Sequence, residues 1–382
     1  MPRAESRHIV VRPLEHGSDK STNFGAVITG VDLNDLDDKS FAVLREAVYT
    51  HSVVVIEGQE NLLPANQFGF VQRFDPDASP QHGFGYGKST KELGKLGKKP
   101  FHVIPHSLGG VTLVGNGYQG PDHYGLREVT LDAVSHVDFH ADPLPRERLG
   151  HGETRFNTFH FDGIIYGSHP SRVTTFRCVK APKGPDVTVR FDDGTGRTIQ
   201  CAPGSTAFIS SSQLYDCLTA EEKATVDNSF WEPAPHPFAW SGTRGQRSTG
   251  LGVNPGRSGG NTVPLDQLPP WESHKVHKYP MVWINPVTGA KGLQLMPDIV
   301  LRLHLKHSPD PDGETRVVED QEEIHAWLNP IYDRFFGPEY ILIPPCQEGS
   351  MVVWNNWVGA GNRETGLRTV HEMDTLLIRI PY

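Results

Sequence analysis

Thr158-Phe-His-Phe-Asp162, followed by Gly163, is the stretch from which the rest of this 382-residue chain is read. Along an extended backbone, residues two apart point to the same face. His160 and Asp162 then converge on one side, with Phe159 and Phe161 on the other. An imidazole and a carboxylate on one face are two-thirds of the facial triad that holds non-haem Fe(II), which leaves coordination positions open for co-substrate and oxygen. Alone, the pair is a weak signal. The chain has 19 histidines, and two further His-x-Asp pairs, His136-Val-Asp138 and His140-Ala-Asp142, lie upstream. These read as polar loop residues before Pro143.

Around this stretch the sequence predicts short strands. Val173–Val179, Val187–Phe191 and Arg197–Cys201 are rich in β-branched residues, and Asp192-Asp193-Gly194 is a turn signal between the last two. Ser52–Glu57 reads as a buried strand, and Met351–Trp354 and Leu367–Met373 as the last strong strands. Helices are expected at three places. Asp38–His51 has apolar residues at helical spacing with Asp37 or Asp38 as cap, and Pro64 opens a second helix to about Phe74. Asp320–Phe336 places Ile324, Trp327, Leu328, Ile331 and Phe335 on one face. Residues 76–110 and 233–272 read as long loops. The expected fold is mainly β with helices, a double-stranded β-helix (jelly roll) padded by N-terminal and late helices. It is expected as a single domain over 1–382, with its core at about 24–373.

Bulk properties narrow the function. The net charge of −9 argues against a nucleic-acid partner, since a phosphate-binding surface is normally basic. Four widely spaced cysteines, Cys178, Cys201, Cys217 and Cys346, form no Cys-x-x-Cys pair, so neither a disulfide framework nor a zinc site is expected. The N-terminus lacks an apolar signal segment and no stretch is long and apolar enough to span a membrane. A reducing, cytoplasmic setting is the expectation.

Several motifs in order give a more specific signal. These are Phe24-Gly-Ala-Val-Ile-Thr-Gly-Val-Asp-Leu33, Arg73-Phe-Asp-Pro76, Val114-Gly-Asn-Gly117, Phe139-His-Ala-Asp-Pro-Leu-Pro145, Thr158–Asp162, Ser248-Thr-Gly-Leu-Gly252, Asn285-Pro-Val-Thr-Gly289 and Gly349–Asn356. On them the chain resembles the TauD/TfdA family of Fe(II)- and 2-oxoglutarate-dependent dioxygenases, in the fungal branch that includes xanthine hydroxylases. The resemblance selects His160 and Asp162 as metal ligands over the other His-x-Asp pairs. It implies Fe(II), 2-oxoglutarate as co-substrate, molecular oxygen, a small-molecule substrate oxidised at a C–H bond, and succinate and CO2 as products. It also implies that Arg368 and Thr188 grip the far carboxylate of 2-oxoglutarate. A guanidinium fork suits a carboxylate, and a hydroxyl adds a donor.

In two places the chain departs from that pattern. The family's distal histidine falls near Gly361, yet Asn355–Gly366 contains no histidine. His371 is the nearest, three residues beyond Arg368, so on a regular strand the two would face opposite ways. Asn356, Asn362 and Glu364 are weaker substitutes. The alternative expectation is therefore a catalytically impaired jelly-roll relative acting as a binding module. The xanthine-oxidising members carry a lysine after the histidine of the Phe-His-x-Asp-Pro motif, where this chain has Ala141. Trp231, Trp240, His236 and His106 are pocket candidates, with packing or surface roles preferred for each.

Overall fold

A computed structural model describes residues 8–76, 102–108, 110–132, 135–162, 166–167, 170, 172–241, 245–254, 262–310 and 312–356, together with the backbone of 375–379. Its largest sheet has five strands in the order Val10–Pro13, Ala26–Thr29, Val53–Ile56, Met351–Asn355, Val173–Arg177. The second and third run parallel, and all other neighbours are antiparallel. The parallel pair needs a crossover, which the helix Asp38–His51 supplies. Asp37 caps that helix by accepting from Ser40 N at 2.7 Å.

This sheet is covered on both sides, which explains the unbroken apolar run Val53–Ile56. Ile28, Val54, Ile56, Met351 and Val353 pack against Leu44, Ala47 and Val48 of the helix. The alternate residues Val27, Val53, Val55, Val352 and Trp354 pack with Phe24, Phe208 and Leu342 on the other face. Gln59 ties the strand end to the loop before the helix. It donates to Val31 O at 2.9 Å and accepts from Leu33 N at 3.1 Å.

A second, larger core is aromatic. Phe156, Phe159, Phe161, Phe191 and Phe336 pack with Trp231, Tyr279, Trp283 and the helix Gln321–Asp333. Asp320 caps that helix through Glu323 N at 2.8 Å, one residue later than the predicted start. Ile324, Leu328 and Ile331 are buried as expected, and Tyr332 joins them. Trp231 and Trp240 are packing residues.

The class is mainly β with flanking helices, as the sequence indicated. Among the described residues the strands form separate sheets rather than one closed barrel. The three-stranded sheet Glu153–Thr154, Val187–Arg190, Thr198–Cys201 and the pair Thr206–Ser210 with Thr375–Arg379 lie outside the five-stranded one. Leu367–Met373 falls outside the described residues, as do all but the edges of the 76–110 loop. No helix among the described residues is long and apolar enough to cross a membrane.

Candidate metal centre

The segment carrying His160 follows the two-residue strand Glu153–Thr154 and joins no regular strand, unlike the expectation. The alternation survives nonetheless. Phe159 and Phe161 are fully buried, while His160 and Asp162 are about a quarter to a third exposed. Aromatic packing enforces this phase. Phe159 meets Phe336 edge to face at 5.0 Å and Phe156 in a tilted contact at 5.2 Å. Phe159 N also donates to Gly250 O at 2.7 Å. Upstream, Arg155 fixes the segment to the neighbouring turn by two bonds to Asp192 Oδ2, at 2.7 and 2.9 Å, and by a bond to the Asp142 carbonyl. Burial pushes the Asp192 carboxyl up, but Arg190 and Arg155 more than offset it and hold it below the usual carboxylate range.

The two side chains do converge. His160 Nε2 lies 3.4 Å from Asp162 Oδ1. His160 Nδ1 is 3.1 Å from the Thr158 carbonyl. A carbonyl only accepts, so Nδ1 carries the proton and the ring's lone pair sits on Nε2, the nitrogen facing Asp162. Asp162 Oδ2 is buried without a hydrogen-bond partner. A buried carboxylate oxygen left unpaired is costly unless a cation or donor meets it. The Nε2 lone pair of His160 and the Asp162 carboxylate, with Oδ1 beside that nitrogen and Oδ2 unpaired, fit two coordination positions of a divalent metal. Asn356 secures the other side. Its amide donates to the Asp162 carbonyl at 3.3 Å and to Thr174 Oγ1 at 2.8 Å, and its backbone N donates to Arg172 O at 2.8 Å. The end of the strand Met351–Asn355 is thereby bolted to the site.

Behind the histidine lies a cluster that the sequence reading missed. Thr158 Oγ1 donates to Asp298 Oδ2 at 3.3 Å, and Gln246 Nε2 donates to the same oxygen at 2.5 Å and to Thr158 Oγ1. Asp298 is buried, and burial pushes its carboxyl up to about 6 despite the bonds from Gln246 and Thr158. No local pattern marks it, because its partners are far away in the chain.

The upstream histidines need correction. His136 and His140, read as polar loop residues, are fully buried. His140 Nε2 donates to the Asn157 carbonyl at 2.9 Å, and His136 Nε2 accepts from Leu144 N at 3.2 Å. Burial lowers His136 to about 4, with the Arg155 charge adding to it, and His140 to about 3. Asp138 completes a capping box with Ser135 instead of sharing a site with His136.

Thr188 sits on the strand Val187–Arg190, beside buried Val189, and its hydroxyl accepts from Gln200 Nε2 at 2.7 Å. Arg368, His371, Asn362 and Glu364 lie outside the described residues. Among the described residues no group of three His, Cys, Asp or Glu side chains is placed to hold a metal.

A family model described as taurine catabolism dioxygenase TauD, TfdA family matches residues 11–360. The alpha-ketoglutarate-dependent dioxygenase bsc9 of Alternaria brassicicola is 38% identical over 355 residues, covering 92% of this chain and 88% of that protein. The alpha-ketoglutarate-dependent xanthine dioxygenase xanA of Emericella nidulans is 36% identical over 349 residues, covering 91% and 90%. A solved taurine dioxygenase from Burkholderia xenovorans superposes with a TM-score of 0.46 at 16% identity, covering 97% of this chain and 84% of that one.

Proposed function

Because this chain belongs to the TauD/TfdA family of 2-oxoglutarate-dependent dioxygenases, we propose that His160 and Asp162 are two of the protein ligands of its Fe(II) and that it oxidises a C–H bond of a small organic molecule. When bound, the iron couples oxidative decarboxylation of 2-oxoglutarate, to succinate and CO2, with insertion of the second oxygen atom into the substrate.

The protein's own part is orientation. The Thr158 carbonyl keeps the proton on Nδ1 of His160 and so presents Nε2. Asn356 holds the Asp162 backbone in place. The Phe159 and Phe161 rings exclude water from the side away from the pair. The far carboxylate of the co-substrate is assigned to Arg368, with Thr188 as a second donor. Thr188 would keep Gln200 as its own donor while turning its hydroxyl hydrogen to the carboxylate. The substrate is set apart from xanthine, because Ala141 replaces the lysine expected for that chemistry.

The observation that carries this reading is the pairing of His160 Nε2 with Asp162, whose second oxygen is buried and unpaired. Anaerobic Fe(II) titration followed by 2-oxoglutarate-dependent succinate release tests it. Wild type should bind one Fe(II), and His160→Ala and Asp162→Ala should each bind none. Unchanged iron content in both variants refutes the site.

One observation favours a second reading, a family member that has lost turnover and serves as a binding module. The stretch Asn355–Gly366, where the family places its distal histidine, contains no histidine. Losing one of three ligands weakens metal binding because the position passes to water. Bound iron with no succinate from either co-substrate decarboxylation or substrate turnover selects this reading.

A further inference from the structure

We propose that Asp298 is a positioning residue of the metal centre, acting on His160 through Thr158. This rests on His160 being a metal ligand. Asp298 stands in the short turn Pro297–Ile299, just before the strand Val300–Leu305 and 140 positions from Thr158 in sequence. It is a carboxylate in an apolar core, between Met296 and Ile299, with Oδ1 buried and unpartnered. Such a group destabilises a fold unless it is compensated. Here its partners are neutral: the Thr158 hydroxyl and the Gln246 amide.

These three side chains close a triangle. The Thr158 hydroxyl donates to Asp298 and accepts from Gln246, while Gln246 also donates to Asp298. The single hydroxyl hydrogen of Thr158 is therefore committed to Asp298 and one of its lone pairs to Gln246, which restrains the residue. The backbone carbonyl of that same residue holds Nδ1 of His160. Turning the imidazole away from Asp162 means breaking this bond, and moving the carbonyl means breaking the triangle. Outer partners of this kind fix the tautomer and ring orientation of a ligating histidine. A cation arriving at His160 also offsets the buried negative charge, so Asp298 favours occupancy of the site.

Mn(II) titration of the full chain, followed by the loss of free-ion EPR signal, tests this alongside thermal unfolding. Asp298→Asn and Thr158→Val keep size and shape. Each should weaken Mn(II) binding by roughly 10- to 100-fold, whereas Thr158→Ser, which keeps the hydroxyl, should bind within about threefold of wild type. With Co(II), the ligand-field spectrum of Thr158→Val should differ from wild type, a change that a loss of packing alone does not produce. Should Asp298→Asn fail to fold, the Val and Ser variants at Thr158 still decide. If His160→Ala loses Mn(II) while Asp298→Asn and Thr158→Val bind like wild type, the positioning role is wrong and the metal site stands. If His160→Ala also binds like wild type, the metal site is wrong and the positioning role falls with it.

Discussion

Three buried histidines show how a single side chain links pH to stability. His136, His140 and His325 are buried, and desolvation is the main cause lowering them to about 4, 3 and 4. In the unfolded chain they take up protons near pH 6.5. Between that value and their folded values the unfolded state binds more protons, so stability is intact above pH 6.5 and falls as pH drops towards 4. Each contributes about 1.4 kcal/mol per pH unit inside that window. Urea unfolding at pH 7 and pH 5 should show the drop, and His325→Leu should reduce its slope by one proton. A flat profile between those two pH values contradicts the neutral state assigned to the three rings. At the same scale, Gln59→Leu should cost roughly 1–3 kcal/mol, because Val31 O and Leu33 N lose their buried partners. Equilibrium denaturation measures it, and a loss below about 0.5 kcal/mol speaks against the bonds.

At the scale of elements, the site segment is held by side chains rather than by a strand ladder. Phe159 packs against both Phe156 and Phe336, and this contact sets which way His160 faces. Phe159→Ala should destabilise the protein by about 3–5 kcal/mol through lost burial and the cavity left behind. Phe159→Leu should cost less and keep metal binding. Calorimetry with parallel iron titration separates the two effects. Equal stability of the Ala variant and wild type would overturn the account of how this segment is fixed. The helices behaved as their sequences predict, because caps and helical spacing are local signals. Asp37 and Asp320 each accept from the backbone three residues on, and the apolar stripes of both helices face the cores.

For the whole molecule, the telling feature is how the two ends of residues 357–374 are anchored. Before them, Asn356 is bonded to Asp162 and Thr174. After them, Thr375–Arg379 pairs antiparallel with Thr206–Ser210. Arg368 and His371 lie in the sequence between these two anchored ends, outside the described residues. On this basis Arg368→Ala should raise the KM for 2-oxoglutarate at least about tenfold, the loss expected for a charge-assisted bidentate contact, and leave iron affinity unchanged. Succinate release at varied 2-oxoglutarate, with iron binding followed separately, measures it. An unchanged KM removes Arg368 from the co-substrate site.

The amino-acid sequence determined what short-range chemistry can encode. The two-residue repeat of Phe159–Asp162, the caps and stripes of the helices, the buried run Val53–Ile56 and the ordered family motifs were all legible without coordinates. Tertiary packing alone decided the rest. It buried His136 and His140, which a polar local context had marked as loop residues. It gave the Thr188 hydroxyl to Gln200. It also brought Asp298 and Gln246 to Thr158 across 140 and 88 positions. Contacts over such distances leave no periodic trace in a single sequence. They follow from how separate elements pack, and the desolvation they impose on a carboxylate or an imidazole exists only once that packing is complete.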